Sequence, residues 1–291
     1  MASARELMDQ LETGLDHLLD SDQFKQWLTV QARFHQYSFG NVLLIWSQRP
    51  EATKVAGFHA WKKLGRSVKQ GEHGIMILAP MTYKTSAQAA RLEGEGETES
   101  EEPVRVRFRV VYVFDVSQTE GAPLPRLVAE SLQGTDAITA HFCDALLALA
   151  AAEGLTVNLA ATDCAAARGF YGYYQRAQAK IHVAADCEPN QVAQVLAHEL
   201  GHHLLGHGSH VDERRSTIET QAESFGYIVC AAAGLPTESF ALPYIASWAA
   251  EDTPEATRRA IRAALTPVHD AVAACLKRLH LDITTPIQEV A

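Results

Sequence analysis

The run His198-Glu199-Leu200-Gly201-His202 constrains this chain more than any other five residues in it. Histidines four apart lie one turn above each other on one face of an α-helix, so the run, read as a helix, aims two imidazole nitrogens at one point. The flanks supply that helix: Pro189 suits a first turn, and Gly206 and Gly208 suit an end. Glu199 then sits beside the two histidines without ligating with them, placed to take a proton from an attacking water and hand it to a leaving amine.

A hydrolytic metal needs a third protein ligand and one open position. The metzincin spacing fails, because Leu205 and Gly208 occupy its glycine and third-histidine places. Downstream, Glu219-Thr220-Gln221-Ala222-Glu223 puts two carboxylates at i and i+4 on a helix expected from Ser216 to Ala233. Glu219 can complete a His-His-Glu set, and Glu223 can accept the spare ring N–H of a ligand histidine and fix its tautomer. Ser216-Thr217-Ile218-Glu219 also fits a capping box, in which Glu219 merely caps its helix. His203, His207 and His210 read as lining the helix end, with His207 also a candidate oxyanion partner. Tyr171, Tyr173 and Tyr174 are either ordinary strand residues or an edge strand that pairs with an extended substrate. In the second case a hydroxyl, that of Tyr171 or Tyr173, reaches the oxyanion.

Length and patterning then divide the chain. Its 291 residues favour two domains, and no window approaches 18 consecutive apolar residues, so no membrane partner is expected. The N-terminus lacks a basic start followed by an apolar block, which argues against a secretory signal and for the cytoplasm. Five scattered cysteines with no CxxC fit neither a disulfide framework nor a thiolate zinc site. An amphipathic helix is expected over residues 5–35, a buried apolar element of undecided type over 41–46, a short helix over 57–65, and a strand from Ile75. A strand from Val104 to Val116 alternates, with Arg105, Arg107 and Arg109 on one face and Val104, Val106, Phe108 and Val110 on the core face. The Glu-, Gly-, Thr- and Ser-rich segment 84–103 between the strands reads as a mobile acidic loop. Gly121-Ala122-Pro123-Leu124-Pro125 marks the domain boundary, after which Asp136 caps a helix. A hairpin from 169–174 and 180–183 precedes the His198 helix, and one or two helices occupy 254–281.

Charge is uneven. Residues 24–91 carry ten Lys/Arg and two Asp/Glu, so that stretch is +8 within a chain of net −10. Single-strand binders pair a positive groove with rings on which bases stack. Lys54, Lys62, Lys63, Arg66 and Lys69 lie among Phe58 and Trp61, and the Arg105, Arg107 and Arg109 face extends them. The plain alternative is a solvated lysine surface over core tryptophans.

With the HELGHH run and ETQAESFG (219–226) on the page, the second half resembles the ImmA/IrrE-type metallopeptidases and the C-terminal domain of ArdC-type antirestriction proteins. That resemblance implies one Zn2+ per chain at His198, His202 and Glu219. In the first half GNVLLIWSQ (40–48), GFHAWKKLGRSVKQGEHGIMILAP (57–80) and VYVFDVSQTEG (111–121) resemble the single-stranded-DNA-binding domain of ArdC-type proteins. The matches span about 24–127 and 136–234. Residues 1–23 and the tail after Pro236 inherit nothing, and Phe225-Gly226 replaces the more usual Phe-Ala. The expected fold is α+β in two domains: a small α+β DNA-binding domain (1–127) and a mainly helical zincin-like metallopeptidase domain with a short β-sheet (128–291). The expected function is a gluzincin-like zinc metalloendopeptidase that binds single-stranded DNA without sequence preference and cleaves proteins near it. Two alternatives stand beside it: a DNA-shielding antirestriction protein of mobile elements with a mainly structural zinc, and a stress-response protease that cleaves a repressor. Nothing in the sequence sets an oligomeric state.

Overall fold

The amphipathic stretch at the N-terminus is two helices, α1 (Ala4–His17) and α2 (Ser21–Arg33), rather than one. The break falls at Asp20, whose carboxylate accepts the Gln23 N–H at 2.9 Å and so starts a new helix. This computed structural model describes residues 4–83, 105–124, 135–160, 171–184, 187–208, 214–237 and 251–280; the acidic segment 84–103 lies outside them. The apolar element of undecided type is a third helix, α3 (Phe39–Gln48), capped by Ser38 and buried along Val42, Leu43, Leu44, Ile45 and Trp46.

Three antiparallel strands follow in the order β1 (Val55–Gly57), β4 (Arg105–Asp115), β3 (Ile75–Tyr83). Between β1 and β3 come the short helix α4 (Phe58–Lys63) and β2 (Arg66–Val68), which pairs with β5 (Thr119–Gly121). β3 is an edge strand whose open backbone groups α3 satisfies with two side chains. Asn41 exchanges two 2.9 Å bonds with the Leu78 backbone, and Gln48 bonds the Met76 oxygen at 2.8 Å and its N–H at 2.9 Å. Residues seven apart on one helix face thus cover the edge as a neighbouring strand would.

The β4 alternation is one-sided, but the buried side is not the expected one. Phe108 is 57% exposed, whereas Val113, which shares the parity of Arg109, is fully buried. Register explains this: Val113 and Val111 pair with Ile75 and Ile77, and Ile75, Ile77 and Val113 join α3 in the core. Arg109 is on that parity but beyond the covered part, and is exposed.

The second half contains α5 (Thr135–Ala152) and a three-stranded sheet in the order β6 (Thr156–Ala160), β8 (Lys180–Ala184), β7 (Gly172–Gln175). The expected hairpin is β7–β8, turned through Ala179 in the left-handed region. β6 runs parallel to β8 and adds a strand to the expected hairpin; its Thr156-Val157-Asn158-Leu159 alternation is only four residues long, and Leu159 is 45% exposed. Then come α6 (Pro189–Leu204), α7 (Arg215–Ala232) and α8 (Pro254–Arg278), the last with Pro267 inside it. α6 packs on α7, with the Phe225 ring against Gly201, where a β-carbon would come within 2.9 Å of it. α2 lies along α7 and α1 against α8, so one apolar core runs from Leu7 to Leu276.

Candidate metal centre

α6 presents His198 and His202 to an open cleft of about 1200 Å³, and α7 presents Glu219 and Glu223 across it. α7 begins at Arg215 with no side-chain cap, so Glu219 stands past the third position of its helix and does not serve as a capping-box residue. The two Nε2 atoms are 3.1 Å apart, and a Glu219 oxygen lies 3.6 Å from that of His198 and 3.7 Å from that of His202. A tetrahedral ion with bonds of about 2.1 Å separates its ligands by about 3.4 Å, so the three groups fit one divalent ion. They form a group able to hold a metal ion among the described residues.

Each histidine is held from behind. The Glu223 carboxylate lies 2.8 Å from His198 Nδ1. His202 Nδ1 lies 2.9 Å from Nδ1 of His207, a largely buried residue of the cleft wall. Burial opposes a charge on His198, yet hydrogen bonds to Glu219 and Glu223 and the nearby Glu199 charge outweigh it and push its pKa up to about 10 in the metal-free protein. The same bonds from His198 and His202 hold the Glu219 carboxyl well below the usual carboxylate range. Glu199 is 7% exposed, and burial raises its pKa against the pull of the two histidines. The Tyr174 backbone N–H bonds its carboxylate. A buried base with an elevated pKa, beside a cluster of ligand groups, suits proton transfer.

β7 is the outer strand on the cleft side. Tyr171, Tyr173 and Tyr174 line the cleft; Tyr173 stacks on His182 at 4.4 Å, and the Tyr174 hydroxyl is taken by His203 Nδ1 at 2.9 Å. Sequence reasoning missed Gln221 and the Tyr174 N–H. Gln221 stands in the quoted Glu219–Glu223 run, but its partners come from distant segments.

The basic half divides differently from its sequence pattern. Trp61 is fully buried and its indole N–H donates to the Phe114 oxygen at 2.8 Å, so it cannot offer a stacking face. The Arg66 guanidinium is spent on Thr119, Gly121 and Ala122. Lys69 reaches the Ser117 oxygen, while Lys62, Lys63 and Arg109 are exposed and Lys54 is half-buried. Arg105 and Arg107 share the parity of Arg109 along β4. Among the described residues of this half, Phe58, Phe108 and Tyr112 have open rings, at 52%, 57% and 44% exposure.

Fold and site together define an α+β protein in which a helical His-His-Glu centre follows a mixed helix-and-sheet N-terminal region. Residues 3–114 match the model for the N-terminal domain of anti-restriction factor ArdC, and residues 152–247 match the IrrE N-terminal-like domain of the M78 peptidase family. The chain thus joins a region similar to the ArdC N-terminal domain to one similar to the M78 peptidase domain. An uncharacterized protein of Bacillus anthracis is 26% identical over 275 residues, covering 84% of this chain and 46% of the relative, so the chain spans about half the length of the curated relative it matches. The metal-free crystal structure of the antirestriction ArdC protein from plasmid R388 shares the fold, with a TM-score of 0.51, 21% identity, and 84% of this chain and 85% of that one covered. The Mn(II)-bound structure of that protein aligns with a TM-score of 0.49 at 21% identity over the same shares of both chains. No helix among the described residues is long and apolar enough to cross a membrane.

Proposed function

We propose that this protein is a DNA-associated zinc metallopeptidase, working in the cytoplasm, that hydrolyses peptide bonds of proteins near single-stranded DNA. The observation that carries the reading is the convergence of His198, His202 and Glu219 on one point with the buried Glu199 beside it. Two imidazoles and a carboxylate suit Zn2+, which when bound supplies Lewis-acid polarisation of a carbonyl oxygen and a lowered pKa for water. Glu199, held by the Tyr174 N–H, takes the proton of the attacking water and returns it to the departing amine. The edge of β7 offers backbone groups to an extended peptide, and Tyr171 and Tyr173 flank its path. The match to the ArdC N-terminal domain, with the exposed Phe58 on the same short helix as Lys62 and Lys63 and the exposed Phe108 and Tyr112 on one face of β4, supports sequence-indifferent binding of single strands.

Glu199→Gln is the test. It should lower casein hydrolysis by about 10²–10⁴-fold while zinc content and single-strand binding stay at wild-type levels. Wild type purified without chelators and devoid of zinc would defeat the metal reading. The same variant separates the second reading, favoured by those exposed rings, of a DNA shield with a structural metal: protection of DNA that survives in Glu199→Gln assigns antirestriction to shielding.

A further inference from the structure

α6 ends in a turn with a defined geometry. The His207 N–H bonds the His202 oxygen at 3.0 Å and the Gly206 N–H bonds the His203 oxygen at 2.9 Å, with Gly206 at φ +70. These are the two bonds of a Schellman motif, which folds the second residue beyond the cap back against the last turn of the helix, usually in an apolar contact. Here that contact is between His207 and the ligand His202, through their Nδ1 atoms at 2.9 Å.

The other nitrogen of His207 continues the chain. His207 Nε2 lies 3.0 Å from Gln221 Oε1, and Gln221 Nε2 donates to the Ala264 oxygen of α8 at 2.8 Å. A carbonyl oxygen only accepts, so Gln221 must give its N–H to Ala264 and turn its oxygen to His207. A neutral His207 therefore carries its proton on Nε2 and has a lone pair on Nδ1. His202 can meet that lone pair only as a donor, with its own proton on Nδ1, which leaves the His202 Nε2 bare and facing His198 and Glu219. His207 and Gln221 are both more than nine-tenths buried, so water does not compete for these bonds.

We infer that His207 and Gln221 are positioning residues that lock the ligand His202 in its Nδ1–H tautomer, as Glu223 holds His198. The inference rests on the metal reading of the site and assigns His207 to the back of the ligand instead of to an oxyanion. In this role both act through His202 and not on substrate. The Ala264 carbonyl of α8 anchors the relay, and Pro267, lacking an N–H, interrupts the backbone ladder of that helix close by.

Two measurements test it. In the metal-free protein, imidazole ¹⁵N–¹H correlation spectra should put the His207 proton on Nε2 and the His202 proton on Nδ1; a His207 proton on Nδ1 overturns the relay. Zn2+ titration against a chromophoric chelator should give a dissociation constant about 10–100-fold weaker for His207→Phe, the range seen when such outer partners are removed. His207→Asn, which keeps an acceptor oxygen at the Nδ1 place, should return to within a few-fold of wild type. Gln221→Met should weaken binding alone and add little in the His207→Phe background. Zinc binding by His207→Phe as tight as that of wild type refutes the proposal. Should wild type bind no zinc, the metal reading falls, and the ring tautomers still decide the relay.

Discussion

A β-carbon on Gly172 would lie 2.4 Å from Val195 Cγ1, 2.9 Å from the His182 oxygen and 3.4 Å from Glu199 Cγ. β7 therefore rests on α6 with no room for a side chain at that point, and two residues later its Tyr174 N–H reaches the Glu199 carboxylate. Gly172→Ala should force the strand off the helix and cost about 1–3 kcal/mol of stability, the range for overpacked sites. Urea unfolding measures it, and an unchanged midpoint would mean the contact is not tight. If Glu199 is the base as proposed, hydrolysis should fall further than the lost stability explains, because its carboxylate loses the N–H that orients it. At this scale the sequence was legible wherever helical periodicity alone sets geometry. His198, Glu199 and His202 follow from i, i+4 spacing, and Glu219 and Glu223 from the same rule on α7. The Tyr174 N–H was not legible, since a backbone donor has no residue type. Nor was the His207–Gln221 contact, although Gly206 signals the turn that creates half of it.

Asp115 shows how an element end is tied down. Its carboxylate accepts the N–H groups of Thr53 at 2.7 Å, Lys54 at 3.0 Å and Ser117 at 2.9 Å, joining the end of β4 to the segment entering β1. Burial pushes its pKa up, but the bonds from Ser117, Thr53 and Lys54 prevail and hold it below the ordinary value. A depressed carboxylate pKa adds stability that is complete above the unfolded value of about 3.9 and is lost as pH falls through the folded one. Asp115→Asn should therefore cost about 1.5–3 kcal/mol at pH 7, the worth of hydrogen bonds to a charged group, and less at pH 3. Urea midpoints at the two pH values read the difference; an equal loss at both would assign the effect to shape and not to charge. β4 also marks the limit of pattern reading. Its alternation announced a one-sided strand, but the buried parity was set by the pairing of Val111 and Val113 with β3 and by the reach of α3, both long-range facts.

Across the whole molecule, the N-terminal helices belong as much to the metal centre as to the basic half. The Asp16–Arg258 and Glu12–Arg262 pairs join α1 to α8, but at partly exposed positions they add little. The less exposed contacts weigh more: Thr29 meets the Tyr227 hydroxyl at 2.9 Å in a part-buried contact, and the buried Gln31 on α2 bonds His269 on α8. Burial, with the nearby His35, holds His269 below its ordinary pKa against the pull of Asp270 and a backbone bond to Tyr37. A histidine depressed in the fold stays neutral while the unfolded chain takes up a proton near pH 6.5, so the unfolded state binds more protons and stability falls as pH drops through that value. The effect should reach the metal centre, because α8 also supplies the Ala264 carbonyl that anchors Gln221. On acidification from pH 7.5 to 5.5, thermal unfolding should show wild type losing more stability, or gaining less, than His269→Leu. Both proteins should be stripped of metal, so that the opposite contribution of His198, whose raised pKa favours the fold at low pH, is common to the two curves. The difference in slope, and not the absolute melting temperature, carries the test, since the leucine variant also loses its bond to Gln31. Parallel slopes would mean that His269 protonates as readily in the folded protein as in the unfolded chain, and that acid does not loosen the seam between α2 and α8.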